Sequence, residues 1–273
     1  YSYQKYDNYD AIEIPNTKYA QNMIHDYIAR YMTNFGKQNL YKILDDAEIY
    51  RLYVRQQLKK RNMPAILEYL PVVESEYKAV AKSRSGARGM WQFMENSMSP
   101  FLKKNEWFDE RLDPWKSTDA ALSKLQDNYR IFKDWPLAIA AYNCGAGAMR
   151  RALNKSKVKT FWYLAEHKMI PEESIQYVPK LLAITEIAEH GDEYKVTLPS
   201  LNESPYFADF DYVTTRTSIS LERLAGEIRL DYDTLKKLNT ALLKDKTPPA
   251  EYSLRLPSGM KMSTKEALRK IEN

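Results

Sequence analysis

The chain has 273 residues, of which 44% are hydrophobic and 28% are charged, with only 8 glycines and 13 prolines. This composition is typical of a globular protein with one large and one small domain, and it excludes a disordered or low-complexity chain. The longest nearly apolar stretch, PLAIAAY, is far shorter than the ~18 to 20 residues of a bilayer helix, so we predict no transmembrane segment. The net charge of +5 is mild and no nucleic-acid motif accompanies it, so we expect no nucleic-acid partner, while an acidic polymer stays open.

Helical periodicity predicts amphipathic helices over most of the first two hundred residues. The first begins after Asn16 and Thr17, which can cap it, and is expected to run until Gly36. A second carries Leu40 and ends near the basic stretch KKRNMP. A third is expected in STDAALSKLQDNYRIF, with a serine or threonine cap. A fourth covers EESIQYVPKLLAITEIAEHG, where Pro179 predicts a kink or a restart.

The pattern changes after Gly191, because DEYKVTLPSLNESPYF has no helical periodicity and predicts a linker. Beyond it, FDYVTT and EYSLRLP alternate like strands, and SLERLAGEIRL and DYDTLKKLN read as two short capped helices. The order is therefore β-α-α-β over about fifty residues, close to the smallest size at which a domain folds alone. The terminal STKEALRKIEN is expected to add one or two helical turns.

Glu74 is a candidate general acid because it directly follows the apolar run YLPVV. In PAILEYLPVVESEY, Leu67, Leu70 and Glu74 fall on one helical face, although Pro71 predicts a kink or restart there. Apolar neighbours raise the pKa of a carboxyl group, so it can stay protonated near neutral pH. The alternative is a surface acid that points to solvent or pairs with Lys78.

Neutral hydrogen-bonding groups that suit sugar hydroxyls and acetamides follow Glu74 along the chain. Ser83 and Gln92 flank glycines, including Gly89, that would let the backbone approach a ligand. Tyr142 offers a phenol where the apolar helix of DWPLAIAAYNCGAG ends, the alternative being a core tyrosine whose hydroxyl is satisfied.

Metal, cofactor and thiol chemistry are not indicated. His25, His167 and His190 show no ligand spacing, so we expect no metal and no cofactor. Cys144 is the single cysteine, which excludes an internal disulfide. No histidine lies close to it in sequence, which favours a small buried neighbour over a nucleophile.

Five motifs in order resemble the soluble lytic transglycosylase family and, within it, the branch of membrane-bound lytic murein transglycosylase D. They are ES at Glu74-Ser75, SRSGARGMWQF from Ser83, WFDERLDPWKSTDAA from Trp107, DWPLAIAAYNCG from Asp134, and FWYL with PEESIQYVPKLLA from Phe161. The resemblance spans roughly residues 40–189. It implies a mainly α fold with a lysozyme-like helical domain and a sugar cleft.

By this resemblance, Glu74 is the single catalytic residue, first as acid and then as base. Such enzymes cleave the bond between N-acetylmuramic acid and N-acetylglucosamine in peptidoglycan without water and leave a 1,6-anhydromuramic end. The substrate-binding positions of the family correspond to Ser83, Gln92, Tyr142 and Asn143. Supporting positions correspond to Ser75, Gly89 and Met90.

Some residues depart from the family pattern or suggest other chemistry. Glu95 replaces a common proline and could tune the pocket or be solvated, and Cys144 replaces a small residue; neither removes a catalytic group. An acid at Asp109 or Asp113, if opposite the catalytic residue, would permit hydrolysis by an activated water. Arg111 between them favours instead an ion-paired loop that fixes the next helix.

The last module resembles LysM, which binds glycans containing N-acetylglucosamine, although Arg216-Thr217-Ser218 replaces the usual glycine-aspartate turn. The predicted domains are then N-terminal helices packing on the catalytic domain (1–60), a lysozyme-like transglycosylase domain (61–191), a linker (192–205), a LysM-like β-α-α-β domain (206–259) and a tail (260–273).

The expected partner is the glycan strand of peptidoglycan, and the expected state is a monomer. We expect a periplasmic location in the bacterial envelope, with outer-membrane anchoring through a leader removed before Tyr1 left open. Two alternatives also stay open: a goose-type muramidase that hydrolyses the same bond, and a catalytically silent glycan-binding protein. Cleavage from chain ends or internally depends on whether outer helices, such as those of the first sixty residues, close the cleft.

Overall fold

The computed structural model describes residue 12, residues 14–199, residue 201 and residues 209–272. Parts of the predicted N-terminal region, linker, LysM-like domain and tail, namely residues 1–11, 13, 200, 202–208 and 273, lie outside the described residues. The described part is mainly helical, as predicted. It falls into two compact units, the first within residues 1–77 and 119–200 and the second within 78–118 and 201–273. None of the described helices has the length and apolar character needed to cross a membrane.

The first unit is built from helices. They are α1 (Lys18–Tyr31), α2 (Asn34–Asp46), α3 (Glu48–Lys60), a 3-10 helix (Ala65–Tyr69), α4 (Leu70–Ser75), most of α5 (Pro114–Phe132), α6 (Trp135–Cys144), α7 (Ala146–Lys155), α8 (Phe161–Glu166) and α9 (Glu172–Glu189).

Helix α9 forms the centre of the first unit, where α1, α4 and α6 pack against it. It is buried on most of its faces rather than along one stripe, which is typical of a helix enclosed by others. The helix continues without interruption through Pro179, so the expected restart is absent. Packing on all sides compensates for the hydrogen bond that a proline removes.

The boundaries of the N-terminal helices differ from the prediction. Gly36 lies inside α2 and does not end the first helix, which stops at Tyr31. Its amide donates to the capping hydroxyl of Thr33 over 3.0 Å. A Cβ at Gly36 would lie 2.5 Å from the carbonyl oxygen of Arg30, so a glycine is required where the two helices approach. The second predicted helix is in fact two, α2 and α3, separated at Ala47.

The second unit contains 3-10 helices at Glu95–Ser97 and Glu110–Leu112, the start of α5, β1 (Phe210–Thr215), α10 (Leu221–Ile228), α11 (Tyr232–Leu238), β2 (Tyr252–Pro257) and α12 (Lys261–Glu272). The predicted β-α-α-β order is confirmed. The strands pair antiparallel with Val213 opposite Leu254, and both residues join a core with α10 and α12. Helix α12 has 12 residues, so it exceeds the one or two turns expected.

The start of α5 also differs from the prediction, since Asp113 rather than a serine or threonine caps it. The Oδ1 atom of Asp113 accepts hydrogen bonds from the amides of Trp115 and Lys116, each over 3.0 Å. The hydroxyl groups of Ser117 and Thr118 instead bond to carbonyl groups one turn earlier in the helix. A carboxylate at this position satisfies amides that have no partner inside the helix.

Candidate active site

Glu74 lies in the last turn of α4, a helix that restarts beside Pro71 as the proline predicts. Glu76 and Tyr77, with φ of 54° and 60°, then turn the chain in the left-handed region. The amide of Tyr77 donates to the carbonyl of Pro71 over 3.1 Å, which closes the helix end. The hydroxyl of Ser75 lies 3.5 Å from the same carbonyl. Glu74 is thus held on a short, closed helix rather than on an open loop.

Two buried tyrosines lie beside Glu74. The hydroxyl of Tyr177, from α9, donates a hydrogen bond to Oε1 of Glu74. Tyr142, near the end of α6, lies close enough for the charge of Glu74 to add to burial in raising the pKa of its phenol. Groups from α4, α6 and α9 therefore meet at the carboxyl. Tyr142 was a predicted substrate-binding residue, whereas the sequence placed Tyr177 in a predicted helix and indicated no role for it in the site.

The ionisation of Glu74 is shifted toward neutral pH. Burial raises its pKa to about 7. The hydrogen bond from Tyr177 and the charges of Lys124 and Lys180 lower the pKa, while the charge of Glu173 raises it. Because burial outweighs these effects, both the protonated and the ionised forms exist near neutral pH.

Two half-buried lysines bring positive charge to this carboxyl group. The Nζ atom of Lys124, on α5, lies 5.0 Å from the centroid of the Tyr142 ring, within cation–π range. Burial lowers the pKa of Lys124 and of Lys180, and the charge of Glu74 acts in the opposite direction on both. The two ammonium groups limit how far the pKa of Glu74 rises.

Asn143 and Cys144 follow Tyr142 at the end of α6. The Nδ2 group of Asn143 donates to Oε1 of Glu173 over 3.2 Å, and its Oδ1 accepts from the hydroxyl of Ser174 over 2.6 Å. These bonds orient the amide from the first turn of α9. Cys144 is half-buried, and burial raises the pKa of its thiol, which disfavours the nucleophilic thiolate.

The other predicted site residues lie in the second unit, in residues 83–93, named here the Ser83 loop. The Oγ atom of Ser83 accepts from the amide of Ala87 over 2.9 Å. Gln92 has φ of 49°, and its Nε2 donates to the carbonyl of Gly89 over 2.8 Å. Met90 is buried. The side chains of Ser83 and Gln92 thus stabilise the loop itself, and their contact with a substrate stays a prediction.

The Ser83 loop packs against the backbone of Arg111. Gly89 has φ of +81°, and a Cβ there would lie 1.7 Å from the carbonyl oxygen of Arg111. The guanidinium of Arg111 donates to both carboxylate oxygens of Asp109, over 2.9 and 2.7 Å, and to the carbonyl of Phe93 over 3.4 Å. Asp109 is fully buried. This pairing favours the structural interpretation of Asp109 over that of a water-activating acid.

Glu95 lies on the surface of the second unit. Its carboxylate accepts from Nζ of Lys104 over 2.7 Å, and that hydrogen bond is the main cause of its lowered pKa. The solvated interpretation of Glu95 is therefore favoured. Within the described ranges, no cluster of three or more histidine, cysteine, aspartate or glutamate side chains is arranged to hold a metal ion.

Comparisons with known proteins agree with the resemblance. Residues 52–165 match the family described as "Transglycosylase SLT domain", and residues 209–273 match "Lytic transglycosylase MltD, LysM-like domain". The confirmed fold is thus mainly α, with a lysozyme-like domain and a small LysM-like domain.

Two curated relatives match 80% of the chain, and a third matches a shorter part of it. The chain is 34% identical over 225 residues to the membrane-bound lytic murein transglycosylase D of Escherichia coli strain K12. The match covers 80% of this chain and 48% of that protein. The protein of the same name from Escherichia coli O6:H1, strain CFT073, gives the same identity and coverage. A putative tributyltin chloride resistance protein of Alteromonas sp. strain M-1 is 37% identical over 115 residues, 41% of this chain and 56% of its own. The chain spans about half the length of these relatives.

Proposed function

This chain belongs to the lytic transglycosylases with an SLT domain and an MltD-type LysM-like domain, and from that premise we propose that it cleaves the glycan strand of peptidoglycan without water. The bond cleaved joins N-acetylmuramic acid to N-acetylglucosamine. The observation that carries the proposal is the partly buried carboxyl of Glu74, with its pKa raised to about 7 and the hydroxyl of Tyr177 donating a hydrogen bond to it.

In the first step Glu74 acts as a general acid. Its proton passes to the glycosidic oxygen as the bond from that oxygen to the anomeric carbon breaks, and the acetamide of the muramic residue stabilises the positive charge on the ring. A pKa near 7 keeps much of the carboxyl protonated at neutral pH. The negative charge that remains on Glu74 is stabilised by the hydrogen bond that Tyr177 donates and by the charges of Lys124 and Lys180.

In the second step the same carboxylate acts as a base. It takes the proton from the C6 hydroxyl of the muramic residue, and that oxygen attacks the anomeric carbon of its own ring. Glu74 is protonated again, so the cycle closes. The products are a 1,6-anhydromuramic end and a free hydroxyl on the leaving sugar, and no water is consumed.

The substrate-binding part of the proposal rests on neutral polar groups. Ser83, Gln92, Tyr142 and Asn143 are assigned to contacts with the sugars, and Ser75, Gly89 and Met90 to support. Burial and charge give Tyr142 a raised phenol pKa, so it stays a neutral hydrogen-bonding group. We assign the enzyme to the bacterial envelope, where its polymer substrate is found.

A goose-type muramidase would need a second acid that activates water. Asp109 bonds to Arg111, and Asp113 pairs with Arg255 over 3.2 Å while capping α5. Glu173, whose charge acts on Glu74, accepts a hydrogen bond from Asn143. These roles favour the single-carboxyl mechanism.

The experiment compares wild type with Glu74→Gln on purified murein sacculi, measured as release of soluble fragments. We expect at least a hundredfold loss, the usual contribution of a general acid. Glu166→Gln, which alters an exposed acid on α8 in the same unit, is the control and should digest murein normally. A Glu74→Gln protein as fast as wild type would refute the mechanism, and an inactive wild type that binds sacculi would support the silent glycan-binding protein.

A further inference from the structure

Within the second unit, the LysM-like domain pairs its backbone with the segment that carries the WFDERLDPW motif. The amide of Asp109 donates to the carbonyl of Ala241 over 2.9 Å, and the amide of Leu243 donates to the carbonyl of Trp107 over 2.8 Å. The residues between them, Phe108 and Leu242, face each other as an antiparallel bridge. This is the pattern by which one strand edge adds to another.

Arg255 ties the same two parts together by charge. Its guanidinium forms two contacts with the Asp113 carboxylate, Nη1 to Oδ2 and Nη2 to Oδ1, each over 3.2 Å. Both residues are buried. Nη1 also donates to the carbonyl of Leu238, and Nε lies 3.2 Å from the hydroxyl of Tyr212. A buried ion pair holds its two residues in one geometry when their other polar atoms are also hydrogen-bonded. The planar guanidinium group adds directional specificity because it can donate two parallel hydrogen bonds to one carboxylate.

Aromatic rings and a threonine complete the contact. The guanidinium carbon of Arg255 lies 4.1 Å from the centroid of the Trp115 ring, and that ring meets Phe210 edge-on at 5.0 Å. The hydroxyl of Thr240 donates to the carbonyl of Leu112 over 2.6 Å. Charged, aromatic, hydroxyl and backbone groups thus fix the LysM-like domain to residues 107–115.

Two paths of contact lead from these anchors to the Ser83 loop. Asp109, whose amide bonds to the LysM-like domain, holds the guanidinium of Arg111, which donates to Phe93 in the loop. Asp113, held by Arg255, begins the helix in which Thr118 accepts the indole hydrogen bond of Trp91 over 2.8 Å. Trp91 and Phe93 are the two neighbours of Gln92.

We propose that the LysM-like domain is a fixed support of the Ser83 loop, and that Arg255 is a positioning residue that acts on this loop through Asp113. A LysM-like domain that served only to tether the enzyme to glycan would need no such contacts. The support itself is a property of the second unit, while its effect on turnover rests on the proposed function.

The first test is hydrogen–deuterium exchange of the whole chain, which requires no catalysis. Arg255→Met should increase exchange in residues 81–93 and 107–113 as well as in 238–243, and leave α1 and α9 unchanged. Thr240→Val, which loses a single hydroxyl bond, should do the same to a smaller extent. Arg223→Met removes an exposed cation of the same domain and should change neither segment.

The second test measures turnover on short soluble murein fragments, for which tethering is unimportant. We expect Arg255→Met and Thr240→Val to lower kcat/KM, about tenfold for Arg255→Met, with Arg255→Lys intermediate because it keeps the charge but loses the fork. Exchange changes confined to 209–272, with normal turnover of short fragments, would overturn the proposal. If the wild-type protein has no activity, the proposed function is refuted. If the variants nevertheless alter exchange at residues 81–93, the LysM-like domain still supports the Ser83 loop.

Discussion

The hydroxyl of Tyr177 donates a hydrogen bond to Oε1 of Glu74 across 103 residues of sequence. The bond joins the central helix α9 to the end of α4, and Tyr177 is only 4% exposed. A hydrogen bond donated to a carboxylate favours its charged form, so this contact partly opposes the effect of burial. It also orients the carboxyl, which in the proposed mechanism serves first as acid and then as base.

Tyr177→Phe is expected to lower kcat tenfold or more. It removes a hydrogen bond to a charged group, worth about 1.5–3 kcal/mol when the carboxylate forms. The same change should raise the pKa of Glu74 further, so the fall of kcat/KM at alkaline pH moves to higher pH. A pH–rate profile on murein fragments measures both effects.

Tyr27→Phe is the matched control, since its hydroxyl bonds to Gln176 on the same helix over 3.0 Å and lies outside the site. It should leave the profile of wild type unchanged. An unchanged kcat and profile in Tyr177→Phe would contradict the role assigned to the hydrogen bond.

The charges around Glu74 predict shifts of opposite sign. Lys124→Met removes a charge that lowers the pKa of Glu74, so the alkaline fall of kcat/KM should move to higher pH. Glu173→Gln removes a charge that raises this pKa, so the fall should move to lower pH. Both variants should keep measurable activity. If Glu173→Gln instead abolishes cleavage at every pH, Glu173 is the second acid of a muramidase.

Glu74→Gln should stabilise the protein in a pH-dependent way. The folded pKa of about 7 lies above the unfolded value of ~4.3, so the folded wild type binds more protons between them and loses stability as pH rises through this window. Glutamine does not titrate, and the variant should gain up to about 3 kcal/mol over wild type from pH 4 to pH 8. Urea unfolding at both pH values measures the gain, and an equal difference at the two would contradict the shifted pKa.

Two glycines of the Ser83 loop should respond differently to alanine. Gly89 and Gly86 both have positive φ, but only at Gly89 would a Cβ meet backbone, 1.7 Å from the carbonyl oxygen of Arg111. Gly86→Ala should cost about 1 kcal/mol from backbone strain, and Gly89→Ala several times that. Thermal unfolding measures the loss of stability in each variant, and equal losses would show that the loop does not pack against the backbone of Arg111.

Local patterns predicted most of the helices and the β-α-α-β module, because both follow from periodicity over a few residues. The apolar run before Glu74 also indicated the raised pKa of its carboxyl. Tyr177 was missed because a tyrosine on an apolar helical face reads as core, and only the fold brings its hydroxyl to Glu74. Gly36 was wrongly predicted to end a helix. A glycine is required there because the end of α1 lies too close for a Cβ atom, and the sequence does not show that contact.

The contact of Arg255 with Asp113 joins residues 142 positions apart and could not be predicted from either neighbourhood. In EYSLRLP, an arginine between two leucines reads as the outward residue of an alternating strand. Its burial depends on the carboxylate and aromatic rings that another segment provides.

The proposed cleavage consumes no water, so purified murein digested in water enriched in oxygen-18 should yield products without the label. Mass spectrometry of the muramic ends should show 1,6-anhydro products with no heavy oxygen, formed by wild type and lost in Glu74→Gln. Reducing muramic ends that carry one oxygen-18 atom would contradict this account and identify a hydrolase.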